Sequence, residues 1–342
     1  MATFSSVEKI DAANIGLMLF SCVLAFLLPF ELFLFSYAVL GPLHYLTEIG
    51  WLHKKGYFTT GKYDYLFLGV LSVLITLGYL GIAESLEGIA TGLVYLAFLM
   101  ALVMIFIKDN TLKVISGILI LFSALLFNKY TFFEVFFAVY LPTIIHVFLF
   151  TGLFILLGAL KNKSLLGVLS LAVFAACTAS FFLIPVGYSS LVPIQYIQKS
   201  FVGFIELNRQ LINTLGLENL QEFNAQTVGE NARVIFGTQS GFMVMRFIAF
   251  AYTYHYLNWF SKTSVIQWHK VPRKTLYIVI AVWIASVALY AYDYMVGLKW
   301  LFLISFLHVL LEFPLNYRSM MGIGQEIKGM LTGRQLTKVN QK

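Results

Sequence analysis

Apolar runs of membrane-spanning length follow one another through most of the chain, near residues 13–28, 30–52, 63–83, 89–107, 112–127, 131–158, 164–187, 234–260, 274–294 and 299–318. A helix needs about 20 such residues to cross the hydrocarbon of a bilayer. Inside that layer every backbone N–H and C=O must be paired within the protein, so only helices and closed barrels can span it. Barrel strands alternate apolar with polar residues, and no such alternation runs through this sequence. The pattern predicts an all-α, polytopic integral membrane bundle of about ten transmembrane helices. Charged residues are 11% of the 342, against about 25% in soluble domains, which excludes a water-soluble fold. The spans leave no length for a second soluble domain, so residues 1–342 are expected to form a single transmembrane domain. Pro29 and Glu31 separate the first two runs, since Pro breaks helix hydrogen bonding and a carboxylate favours the interface.

Lys and Arg set the expected orientation. With the N-terminus inside, the inner segments hold Lys9, Lys54, Lys55, Lys62, Lys108, Lys113, Lys161, Lys163, Lys262, Lys270, Arg273, Lys274, Arg318, Lys328, Arg334, Lys338 and Lys342. The outer ones hold only Lys129, Lys199, Arg209, Arg233 and Lys299. Positive charge collects on the cytoplasmic side, so both termini are expected in the cytoplasm, with residues 319–342 a basic cytoplasmic tail. The net charge of +7 is explained by these loops and calls for no nucleic-acid partner. The bias suits a bacterial inner membrane and a eukaryotic endomembrane equally. The first run follows Glu8, Lys9 and Asp11, without a basic leader or a small-residue cleavage site, and reads as a retained span. Cys22 and Cys177 lie in apolar runs and read as packing residues.

Residues 188–233 form a long extracytoplasmic connection. Ile197, Phe201, Phe204, Ile205, Ile212 and Leu215 recur there at helical spacing, with Gln198, Glu206, Arg209 and Gln210 between them. This predicts an amphipathic helix on the outer membrane surface, as a parked connector or, more sharply, as a lid or a lipid entrance.

Six histidines occur in the chain. His53 and His269 fall in or beside loops. The other four, His44, His146, His255 and His308, lie in the second, sixth, eighth and tenth runs, all oriented from outside to inside. Counted from the inner ends of their helices, they sit at depths of about 8–18 Å, so four separate helices can bring them into one layer. Two carry a carboxylate one turn on, in His44-x-x-x-Glu48 and His308-x-x-x-Glu312, a spacing that places both side chains on one helix face. A carboxylate buried in hydrocarbon needs a compensating charge, and a divalent metal supplies one. Four imidazoles with Glu48 and Glu312 offer nitrogen and oxygen donors without thiolate, a set that favours iron, with zinc or manganese also suited. A mononuclear centre would use the histidines, with the carboxylates orienting their rings; a dinuclear one would recruit the carboxylates as ligands. The bland alternative is that each histidine is a helix–helix hydrogen-bonding group.

Around this set, Tyr252 and Asn258 flank His255 by about one turn and are candidate catalytic residues with Glu48 and Glu312. Tyr45 and Arg246 are candidate substrate contacts, the latter with Glu134 or an anionic headgroup as its acceptor. Trp259 reads as part of an interfacial aromatic belt. Such a site suits oxidative chemistry on a lipid, isoprenoid or carotenoid, with membrane lipids and an electron-donor protein as expected partners. In kind it is comparable to the histidine-rich membrane desaturases and carotenoid-cleaving dioxygenases, although their His-x-x-His-His and His-Gly-x-x-Asp patterns are absent. A secondary transporter with a His/Glu proton relay and a membrane zinc hydrolase are the alternatives. Haem is less well suited, since two axial histidine pairs would need no neighbouring carboxylates.

Overall fold

The computed structural model describes residues 6–185, 187, 192–222, 224, 226–262, 267 and 270–332. His269 and the tail beyond Thr332 lie outside the described residues. The main helices are α1 (Ser6–Leu27), α2 (Pro29–Lys54), α3 (Asp64–Tyr79), α4 (Ala90–Phe106), α5 (Asn110–Phe127), α6 (Thr131–Asn162), α7 (Leu165–Leu183), α8 (Ile205–Thr214), α9 (Val228–Gly237), α10 (Gln239–Ser261), α11 (Arg273–Tyr292) and α12 (Tyr294–Thr332). No strand occurs among the described residues.

Seven helices are long and apolar enough to cross a membrane, namely α1, α2, α5, α6, α7, α11 and α12. The bent pair α9–α10 makes an eighth if taken as one span. The protein is therefore a multi-pass helical membrane bundle. Helices α3 and α4, at 16 and 17 residues, are apolar but shorter than the rest.

Local chemistry accounts for where the helices begin. Asp109, Ser164 and Thr238 accept hydrogen bonds from the backbone N–H groups of Leu112, Gly167 and Gly241, capping α5, α7 and α10. The chain leaves helical geometry at Leu28 (φ −139°, ψ 57°), where Pro29 opens α2. Between α9 and α10 it turns through 73°. Gly241 is required at that bend, because a β-carbon there would lie 2.3 Å from the carbonyl oxygens of Val234 and Ile235. Helix α12 runs on past the expected end near 318, through Pro314, to Thr332.

Helix α10 is the axis of the bundle. Nearly every residue from Phe242 to Trp259 is buried, with α1, α2 and α7 packed around it. Helices α5 and α11 instead turn Ile118, Leu119, Phe122, Tyr277 and Ile284 outward, as lipid-facing helices do. At one end of the bundle Asp64 and Lys113 form a buried ion pair at 2.7 Å, and the carboxylate also accepts from the Gly61 N–H.

The connection before α9 folds as several helical pieces rather than one helix: Gln195–Ser200, a turn at Val202–Phe204, and α8. Phe201, Phe204, Ile205 and Ile212 are buried, with Phe201 and Phe204 seated on Phe30, Phe33 and Tyr37 of α2. The apolar face thus packs on the bundle itself. Leu215 lies past the end of α8 and is exposed. Arg209 is held by Glu206 through two hydrogen bonds of 2.9 and 2.6 Å, which push its guanidinium above its ordinary pKa.

Candidate metal centre

Two departures from α-helical winding precede or contain site residues. Residues Ser36–Leu40 of α2 and Val135–Phe150 of α6 are π-helical, the second enclosing Pro142 and His146. Proline cannot donate within the helix, and wider winding is one way for its neighbours to recover partners. His44 follows the first π segment, His255 sits on α10 and His308 on α12.

The four imidazoles close into a ring. His44 neighbours His255 (ring centroids 4.8 Å apart), His255 neighbours His146 (5.0 Å), His146 neighbours His308 (5.1 Å), and His308 returns to His44 (5.4 Å). All four residues are at most 6% exposed. The Nε2 atoms of His44 and His255 are 3.1 Å apart, and those of His146 and His308 are 3.2 Å apart. Ligating atoms of His44, His146 and His308 all lie within 4.8 Å of one another, a group that can hold a metal ion.

The carboxylates join this ring differently. Glu48 Oε2 lies 3.0 Å from Nε2 of His44, one turn away on the same helix. Glu312 Oε2 lies 3.1 Å from Nδ1 of His146, on a different helix from its own. Neither Oε2 makes a hydrogen bond of good geometry, and the same holds for Nδ1 of His44, His146 and His308. His44 Nε2 therefore faces His255 Nε2 and Glu48 Oε2 together, and one nitrogen cannot donate a single proton to both.

Within each close set the separations fit donors that share an ion. Two ligand atoms each about 2.1 Å from one metal lie about 3.0 Å apart at a right angle and about 3.4 Å apart at the tetrahedral angle. The three close contacts among His44, His255, Glu48, His146 and His308 span 3.0–3.2 Å. Ordinary His–His hydrogen bonds would explain one pair each, but not the approach of both His255 Nε2 and Glu48 Oε2 to the one nitrogen of His44.

Supporting residues hold the rings in place. Thr151 Oγ1 is 2.8 Å from Nδ1 of His255, fixing that imidazole from the side away from His44. Tyr45 stacks on His308 at 4.2 Å, and its hydroxyl meets that of Tyr256 at 2.8 Å. Gly41 makes room for this pair: a β-carbon there would come within 2.9 Å of the Tyr45 hydroxyl. Ser36–Thr253 at 2.8 Å and Trp259 Nε1 donating to Thr47 at 3.1 Å clamp α2 to α10 above and below. Trp259 is thus buried, edge-on to His44. Thr151 was not evident from sequence, although its place five residues after His146 puts it on the same helix; Tyr256 carries no signal beyond adjoining His255.

Two chambers flank the ring. One, of about 430 Å³, is walled by aromatics including Tyr37, Tyr45, Tyr252, Tyr256, Phe204 and Phe302; His146 and His308 face it. The other, of about 480 Å³, is faced by His44, His255, Glu48, Glu312 and Asn258. Tyr252 therefore lies on the first side and Asn258 on the second. Thr143, beside Pro142, also lines the aromatic chamber. Asn316 is buried, and neither of its side-chain polar atoms has a hydrogen-bond partner. Arg246 is fully buried but lines neither chamber: its guanidinium lies over Phe26 and Phe242 at 5.3 and 5.8 Å and donates to the Gly187 carbonyl.

Comparison with protein-family models, with curated proteins and with solved structures yields no match to this chain.

Proposed function

We propose that the protein is an integral-membrane metalloenzyme, a non-haem iron oxidoreductase of the oxygenase or desaturase kind, acting on a hydrophobic substrate at the His/Glu ring. The observation that carries this reading is the set of 3.0–3.2 Å separations among buried nitrogen and oxygen donors at the meeting of four helices. His44, His146, His255 and His308 would hold the metal. Glu48 is close enough to be a ligand, whereas Glu312, on the far nitrogen of His146, is placed to orient that ring. Iron bound by such donors activates dioxygen; zinc or manganese would fit the same donors. The chain's own part is to orient the rings through Thr151 and Glu312, and to keep bulk water from a centre walled by aromatic side chains. Electrons would come from a partner protein.

The remaining topology belongs to the same proposal. If α3 and α4 cross as well, the spans number about ten, the basic segments share one face, and both termini lie in the cytoplasm. Either a bacterial inner membrane or a eukaryotic endomembrane suits this.

The test is metal analysis of the purified protein with His146→Ala and His308→Ala beside it. About one or two metals per chain are expected, falling in both variants. Less than about 0.2 per chain, unchanged by either substitution, would sink the metal reading. If iron is present, an optical spectrum without a haem band supports the non-haem form.

One observation favours a second reading. The chambers lie on opposite sides of the ring, as a transporter with a His/Glu relay would require. Uptake into proteoliposomes, abolished by Glu48→Gln in protein that binds no metal, would promote it over catalysis.

A further inference from the structure

The larger chamber is amphipathic along its length. Its middle is apolar, with Trp51, Phe154, Ile155, Leu157 and Leu315 on the wall. Its outer rim is polar and lies at helix ends: Lys161 in the last turn of α6, Lys262 capping α10, and Asp11 and Asn14 near the start of α1. Asp11 already accepts from Ser164 at 2.7 Å, and Asn14 accepts from Ser261 at 2.9 Å. Among the described residues neither lysine forms an ion pair. The rim therefore offers two lysines against one carboxylate, Asp11, which accepts from Ser164 and also acts electrostatically on Lys262.

The inner end carries a separate signal. Asn258 is 5% exposed, faces the chamber, and its Oδ1 has no hydrogen-bond partner. Tyr254 is fully buried, also lines the chamber, and has an unpartnered hydroxyl. Buried polar atoms without partners cost about 1–3 kcal/mol each, so a ligand or ordered water supplying the missing bonds is implied. From Lys262 back to His255 along α10 is a rise of about 10 Å, so a chain anchored at the rim reaches the ring.

We infer that this chamber binds an amphiphile with an anionic head, a carboxylate or a phosphate, seated between Lys161 and Lys262 with its chain directed at His44 and His255. Lysines at a helix end hold such heads at the membrane–water boundary while an apolar tunnel takes the chain. The inference deepens the enzymatic reading by naming a substrate class and the side of the ring from which it is reached, and it rests on that reading for the fate of the bound chain.

Tryptophan quenching tests it directly, because Trp51 and Trp259 both line the chamber. In a full-length background with Trp268→Phe, Trp283→Phe and Trp300→Phe, these two are the reporters. A stearate brominated at mid-chain should quench them saturably in detergent, in chelator-treated and metal-loaded protein alike. Lys161→Ala with Lys262→Ala should weaken binding about tenfold, and arginine at both positions should restore it. A brominated long-chain alcohol should bind the parent no better than the stearate binds the double alanine variant. Phosphatidate with brominated chains forms a second arm: quenching by it alone identifies a lipid headgroup as the source, and quenching by stearate alone a free acid. No saturable quenching by either anion, or quenching indifferent to both lysines, overturns the inference. Binding in protein that holds no metal would leave this site standing while the metal reading fell; metal without binding would do the reverse.

Discussion

His146 Nδ1 and Glu312 Oε2 meet at 3.1 Å across two helices, although Glu312 has His308 one turn away on its own helix. The carboxylate thus stands beside the far nitrogen of an imidazole whose other nitrogen points to His308, without a hydrogen bond of good geometry between them. In the proposed centre, a carboxylate in that position would orient the ring and raise its basicity as a ligand.

Glu312→Gln should consequently lower metal affinity by about 10- to 100-fold while leaving the helical fold intact. Titration against a competing chelator measures this. An unchanged affinity would show that Glu312 does not act through His146.

Thr151→Val removes the hydroxyl that holds His255 with almost no change in volume. The expected cost is about 1 kcal/mol of stability and roughly tenfold in metal affinity. Thr151→Ser keeps the hydroxyl and should retain most of both. Melting in detergent and the chelator titration read the two effects separately; equal behaviour of Val and Ser variants would refute the role.

Lys113→Met strands the Asp64 carboxylate in a buried position. A loss of about 3 kcal/mol is expected, because the remaining charge is desolvated without a partner. The double variant Asp64→Leu/Lys113→Met should recover much of it. A double-mutant cycle on thermal unfolding gives the coupling, and additive losses would contradict a coupled pair.

Gly241→Ala drives a β-carbon into two carbonyl oxygens at the α9–α10 bend and should cost about 3 kcal/mol. Gly69 of α3 has no atom within 4 Å of the same test position, so Gly69→Ala should be neutral or stabilise by up to about 1 kcal/mol. Comparing the melting of the two variants isolates the bend from general glycine effects. Equal melting temperatures would remove the steric account.

Membrane insertion and helical class follow from sequence alone, because the cost of an unpaired peptide group in hydrocarbon acts on every segment regardless of its neighbours. The same logic exposes the candidate site: when charge is confined to loops, His44, His146, His255, His308, Glu48 and Glu312 are ionisable groups that topology leaves unexplained. Depth counted along separate helices is also local, and it already places the histidines in one layer. Which faces meet is another matter. Helical rise sets depth, but rotation about each axis is decided by side-chain packing between helices, and residue spacing within one helix does not encode it. Hence the order of the imidazole ring, the partnership of Glu312 with His146, the support of His255 by Thr151, and the burial of Trp259 beside His44 emerge only when α2, α6, α10 and α12 are packed together. The two chambers are of the same kind: each is bounded by residues from several helices and exists only as the space their packing leaves.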